Sequence, residues 1–248
     1  MRGLLLAARY LTIVPVGGGR PHEHGASLGE AAPWFPAVGL GIGLAVVATE
    51  RITAWLFPML LAALLTVTVW KLLTGGLHLD GLADCLDGLA GHDARQRLRI
   101  MSDSRIGAFG AMGLILVLLL EIAAVAELPA PVRWRALLAT PAIARATPAL
   151  VARFFPAARA EGHGATFRAG VQSRAVVLAL GLAGLIAAGA LGLLGLATLV
   201  VACLGALGLG RFLTVRLGGI TGDVLGAGVE TAELMVLLTV SAWTHAGR

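Results

Sequence analysis

The chain has 248 residues, 58% of them hydrophobic and 13% charged, with a formal net charge of +5. Soluble domains carry about a quarter charged residues, and a mean hydropathy of +0.87 is more than a soluble core can absorb, so lipid is the solvent this composition requires. The arginines fall between apolar segments and form no long basic face, which argues against nucleic acid as a partner and fits positive loops on a membrane protein.

A spanning helix needs about 20 mostly apolar residues. Met1 to Val16 holds an apolar run without a small-residue cleavage site, so it does not read as a removed signal peptide. His22 and His24 read as exposed. Pro33 to Thr49 is uncharged and ends at Glu50–Arg51, and Ile52 to Trp70 is the next uncharged run. Ile106 to Leu120 continues past Glu121 towards Ala126. Ala136 to Val151 is interrupted only by Arg145. Ala175 to Gly210 is a 36-residue stretch without a charge, enough for two short spans with a glycine-rich turn near Leu191–Gly195. The last apolar segment, Ala227 to Thr244, carries Glu230 and Glu233 at its start. The pattern predicts an all-α polytopic integral membrane bundle of about seven transmembrane helices, in one domain over residues 1–248.

Three regions are too polar for lipid-facing helix: Leu77 to Arg105, Arg153 to Arg174, and Arg211 to Glu233. Seven alternating spans put all three on one side, together with the arginine-bearing N-terminus. The positive-inside rule makes that side cytoplasmic and leaves Arg51, Arg133, Arg135 and Arg248 opposite. The loops with Arg95, Arg159 and Asp223 are therefore expected to face the cytoplasm. The two cysteines, Cys85 and Cys203, cannot form a CxxC-type zinc site and read as structural.

The densest chemical signal is Leu77-His78-Leu79-Asp80-Gly81-Leu82-Ala83-Asp84-Cys85-Leu86-Asp87-Gly88. On a helix, Asp80, Asp84 and Asp87 fall within an arc of roughly 60°. Three carboxylates on one stripe repel unless a cation sits among them, and oxygen ligands suit Mg²⁺. A solvated helix face is the alternative. Asp84-x-x-Asp87-Gly88 also resembles the opening of the metal and diphosphate motif of CDP-alcohol phosphotransferases, although the remainder of that motif is not found downstream.

The second signal is Gly218-Gly219-Ile220-Thr221-Gly222-Asp223-Val224-Leu225-Gly226-Ala227, followed by Glu230 and Glu233. The three acids span an arc of about 80° on a helix. Glycines such as Gly222 let backbone approach a phosphate, and a nearby acid completes a metal's ligands. A glycine-rich helix start with a charged cap is the alternative. In the third segment, Met101-Ser102-Asp103-Ser104-Arg105-Ile106-Gly107, Arg105 can clamp a phosphate, whereas Ser102 or Asp103 can simply cap the next helix. Gly107, Gly110 and Gly113 read as helix-packing positions. Arg145 lies well inside a predicted span, which marks it as functional or as the buried partner of an acid such as Glu121. His78 reads as a base, a ligand or a satisfied histidine.

Together these segments resemble the cobalamin synthase family, the adenosylcobinamide-GDP ribazoletransferases. The resemblance rests on Thr74-Gly75-Gly76-Leu77-His78-Leu79-Asp80-Gly81-Leu82-Ala83-Asp84, on Ile100 to Gly107, on Gly219 to Ala227 with Glu230 and Glu233, and on Phe35-Pro36-Ala37-Val38-Gly39. It covers nearly the whole chain in the same order. It implies a multi-pass, Mg²⁺-dependent enzyme of the bacterial cytoplasmic (inner) membrane, with its active site facing the cytoplasm. That enzyme joins adenosylcobinamide-GDP to α-ribazole, or its 5′-phosphate, and releases GMP. On this reading Asp80, Asp84, Asp87 and Asp223 hold metal. Asp223, Glu230 and Glu233 offer a second ligand set or the base. Arg105, Arg145, Asp103 and Gly222 meet the substrate phosphates. The rival reading, an ion-coupled membrane transporter, expects inverted repeats and mid-membrane acids. No repeat is visible in the sequence.

Overall fold

The computed structural model describes residues 2–16 and 28–247. His22, His24 and Arg248 lie outside them. Twelve α-helices are found among the described residues: α1 Arg2–Leu11, α2 Phe35–Leu56, α3 Met59–Leu73, α4 Leu77–Gly88, α5 Ala94–Ile100, α6 Ala108–Glu127, α7 Ala130–Ala144, α8 Thr147–Phe154, α9 His163–Gly170, α10 Ser173–Leu191, α11 Leu193–Leu217 and α12 Gly222–Ala246. A 3₁₀ turn, Leu28–Trp34, leads into α2. The local causes are ordinary. Pro36, Pro58, Pro129 and Pro148 stand at helix starts, where a missing N–H costs nothing. The Thr221 hydroxyl caps α12 by accepting from Val224 N.

The protein is a polytopic helical membrane protein. Among the described residues, five segments are long and apolar enough to cross a membrane: Leu28–Leu56, Ala108–Glu127, Ser173–Leu191, Leu193–Leu217 and Gly222–Ala246. A sixth is added if the bent α3–α4 pair counts as one. The sequence pattern led to about seven. The shortfall lies at Ala136–Val151, where α7 stops at Ala144 and the buried Arg145 separates it from α8. The turn expected near Leu191–Gly195 is present, with Gly192 between α10 and α11.

α12 occupies the middle of the bundle. It packs on α4, α6, α7, α8 and α11, and 67% of its most apolar window is buried against 22% for α6 and 28% for α10 and α11. The exposed faces of those outer helices carry Ile115, Leu116, Leu119, Val177, Leu185 and Leu204. Such residues are stable against lipid and would be costly in water.

Two local features place the site. Gly75 and Gly76 both adopt positive φ, 63° and 67°, a run that residues with a Cβ rarely tolerate. They turn the chain 90° from α3 into α4. At the same end of the bundle an isolated bridge joins Ala157 to Ile220. Arg159 donates to Leu98 O, and Arg97 donates to Arg216 O. These contacts tie three charged regions, separated in sequence, into one surface.

Candidate active site

α4 carries Asp80 and Asp84 one turn apart, and it lies directly against the start of α12. Gly81 makes this approach possible. A Cβ there would sit 2.8 Å from Asp223 O and 2.9 Å from Asp223 Cα. Asp80, exposed, and Asp84, half-buried, both line a cleft of about 320 Å³ under the 101–106 loop. Asp80 and Asp223 both line a second cavity of about 260 Å³. Asp223 continues into a third of about 170 Å³, with Arg159, Glu161, His163, Thr221 and Gly222. Three aspartates from two helices thus border neighbouring cavities, Asp80 shared by the first two and Asp223 by the last two.

Asp80, Asp84 and Asp223 form no salt bridge among the described residues. The Thr221 hydroxyl, 3.1 Å from Asp223 Oδ2, is the hydrogen-bond partner of that carboxylate. Neighbouring carboxylates without a salt-bridge partner, offering only oxygen as a ligand atom, suit a hard divalent cation such as Mg²⁺.

Asp87 belongs elsewhere. Its two oxygens accept from Gly107 N at 2.7 Å and Gly110 N at 2.8 Å. An acid at a helix N-terminus is favoured by the helix dipole and by the orphan amides there. Asp87 therefore caps α6, a task for which Ser102 or Asp103 was one alternative in sequence. Asp103 instead binds Arg105 through both oxygens, Nε–Oδ1 3.0 Å and Nη2–Oδ2 2.7 Å. This bidentate pair on an exposed loop holds the Asp103 carboxyl down at about 2. Arg105 lies at the edge of the Asp80–Asp84 cleft.

Glu230 and Glu233 also separate from Asp223. Each is 1% exposed. Lys71 Nζ lies 3.0 Å from Glu121 Oε1, 2.6 Å from Glu230 Oε2 and 2.8 Å from Glu233 Oε2. Arg145 Nη1 lies 2.7 Å from Glu233 Oε1. The three glutamates offer oxygens close enough together for a metal, but the Lys71 ammonium already fills the space between them. Arg145, 1% exposed, is thus not placed at a phosphate. It is the buried partner of an acid, and that acid is Glu233 rather than Glu121. His78 is buried beside this network, and its Nδ1 has no hydrogen-bond partner. The structure therefore brings Asp223 to Asp80 and Asp84, and leaves Asp87, Glu230, Glu233 and Arg145 in supporting positions.

The cobalamin-5-phosphate synthase family model matches residues 3–241. The chain belongs to that family. A relative from Escherichia coli is 42% identical over 212 residues, covering 83% of this chain and 85% of its own. One from Bradyrhizobium diazoefficiens is 39% identical, covering 97% of this chain and 93% of its own. One from Brevibacillus brevis is 36% identical, covering 98% of this chain and 99% of its own. Each is named adenosylcobinamide-GDP ribazoletransferase. No solved structure matches the chain.

Within this family member, sequence reasoning missed Lys71, the cation at the centre of the buried acids. Its signal is one lysine directly after the uncharged Ile52–Trp70 run. Arg159 and His163 were also passed over as site residues. They reach Asp223 only because the Ala157–Ile220 bridge folds their loop back.

Proposed function

We propose that this chain is an adenosylcobinamide-GDP ribazoletransferase of the bacterial inner membrane, with its site open to the cytoplasm. It joins adenosylcobinamide-GDP to α-ribazole, or its 5′-phosphate, and releases GMP. Family membership across residues 3–241 supports the reaction. The convergence of Asp80, Asp84 and Asp223 on neighbouring cavities, none of them in a salt bridge among the described residues, is the observation that carries the mechanism. The arginine-rich loops at the same end of the bundle support the orientation.

A ribose hydroxyl of α-ribazole attacks the phosphorus that bears the cobinamide. The bond from that phosphorus to the bridging oxygen breaks, and GMP leaves with that oxygen. Asp223, held through Oδ2 by Thr221, accepts the hydroxyl proton. Asp80 and Asp84 are the residues that would hold a Mg²⁺ ion, and such an ion would supply positive charge to the diphosphate and the leaving phosphate. Arg105 exchanges Asp103 for a phosphate oxygen at the cleft edge. Family membership favours this reaction over ion-coupled transport.

The test is GMP release by purified protein. Release should require both substrates, and in sealed vesicles it should occur only when the arginine-rich loops face outward. GMP formed without α-ribazole, or none with both substrates, sinks the reaction. Activity of added substrates only in oppositely oriented vesicles sinks the orientation.

A further inference from the structure

We infer that the cavity between α1, α2, α9 and α12 seats the flat aromatic base of α-ribazole and sets which base the enzyme accepts. This rests on the ribazoletransferase reading and assigns one subsite within it. The cavity measures about 260 Å³, at the small end for ligand sites. A corrin macrocycle or a guanosine diphosphate exceeds that space, whereas two fused rings fit it.

The lining is graded. Its inner wall holds Leu11, Phe35 and Phe167, exposed by 1%, 1% and 5%. Tyr10 stacks on Phe35 with ring centroids 6.3 Å apart, and Phe35 meets Phe167 at 5.7 Å. Asp80 and His163, both exposed, stand at its polar edge with Asp223. An aromatic inner wall of this kind takes a π-face and disfavours a phosphate, whose desolvation Leu11, Phe35 and Phe167 would not offset. A nucleoside bound base-inward leaves its ribose at the polar edge, where Asp223 accepts the proton.

The test uses full-length Phe167→Leu and Tyr10→Leu enzymes in detergent, with the two substrates titrated separately. Loss of base stacking is expected to raise KM for α-ribazole about tenfold, with KM for adenosylcobinamide-GDP within about twofold. On wild-type enzyme, free 5,6-dimethylbenzimidazole should compete with α-ribazole and not with adenosylcobinamide-GDP. That arm stands if the variants fail to fold. A KM change confined to adenosylcobinamide-GDP, no change in either KM, or competition with adenosylcobinamide-GDP overturns the assignment. Wild-type GMP release remains intact in each of those outcomes. Failure of the subsite is therefore distinct from failure of the reaction.

Discussion

Asp223 and Glu230 stand on one helix, seven residues and about 10 Å apart, and have opposite surroundings. Glu230, with Glu121 and Glu233, is buried around Lys71 and Arg145. Asp223, with Asp80 and Asp84, lines cavities and has no ion pair among the described residues. Both groups are acids in a membrane protein, where an uncompensated charge facing lipid costs at least about 2.5 kcal/mol. The glutamates meet that cost with internal cations, which makes them a clamp between α3, α6, α7 and α12. The aspartates have no such ion pair, the arrangement expected of a site completed by water, metal and substrate. Charge compensation within the fold, rather than acidity or burial, separates structure from chemistry here.

The largest effect should come from breaking the clamp. Lys71→Met leaves three buried carboxylates with only Arg145, and removing one partner of a buried ion pair costs about 3–5 kcal/mol. Thermal unfolding in detergent should begin far below wild type, with loss of the monodisperse species. Unfolding at the wild-type temperature would show that the glutamates find other compensation.

Next comes the site. Asp84→Asn keeps volume and removes charge, so the unfolding temperature should hold while turnover falls by about 10² or more, with a raised Mg²⁺ requirement. Wild-type turnover across a Mg²⁺ titration would remove Asp84 from the aspartate group. The contrast between these two variants, one losing fold and the other rate, is the sharpest form of the comparison.

The smallest expected effect concerns spacing. Gly81→Ala places a methyl 2.8 Å from Asp223 O, so α4 and α12 must part. Overpacking of this kind costs about 1–3 kcal/mol. Because the displaced pair carries Asp80, Asp84 and Asp223, the Mg²⁺ dependence should shift along with stability. A loss of stability with an unchanged Mg²⁺ titration would show that the helix gap does not set the site.

The all-helical membrane fold is legible because long uncharged runs leave lipid as the only solvent. The Asp80–Asp84 pair is legible for a different reason: helical spacing fixes which side chains share a face. Spacing within one helix says nothing about what other helices bring. Asp87 sits on the right stripe, yet two amides of α6 consume its oxygens. Glu230 and Glu233 share a stripe with Asp223, yet a lysine 159 residues from Glu230 lies among them. Arg145 reads as a clamp, with a buried pairing as the alternative, until Glu233 is found beside it. The count of spans suffers likewise, since α3 and α7 have only 15 residues each and their short apolar lengths look complete in sequence.

That shortness has a consequence for the lipid. At 1.5 Å per residue α3 rises about 22 Å, against a hydrocarbon layer of about 30 Å. The Gly75–Gly76 bend then sends α4 sideways, at a level below the headgroups if α3 stands upright. Carboxylates at that depth need water, and a bilayer accommodates a short span by thinning. With α3 upright, the Asp80–Asp84 cleft would then lie in a dent of the membrane surface, where a nucleotide-bearing substrate would stay hydrated while its apolar parts met acyl chains.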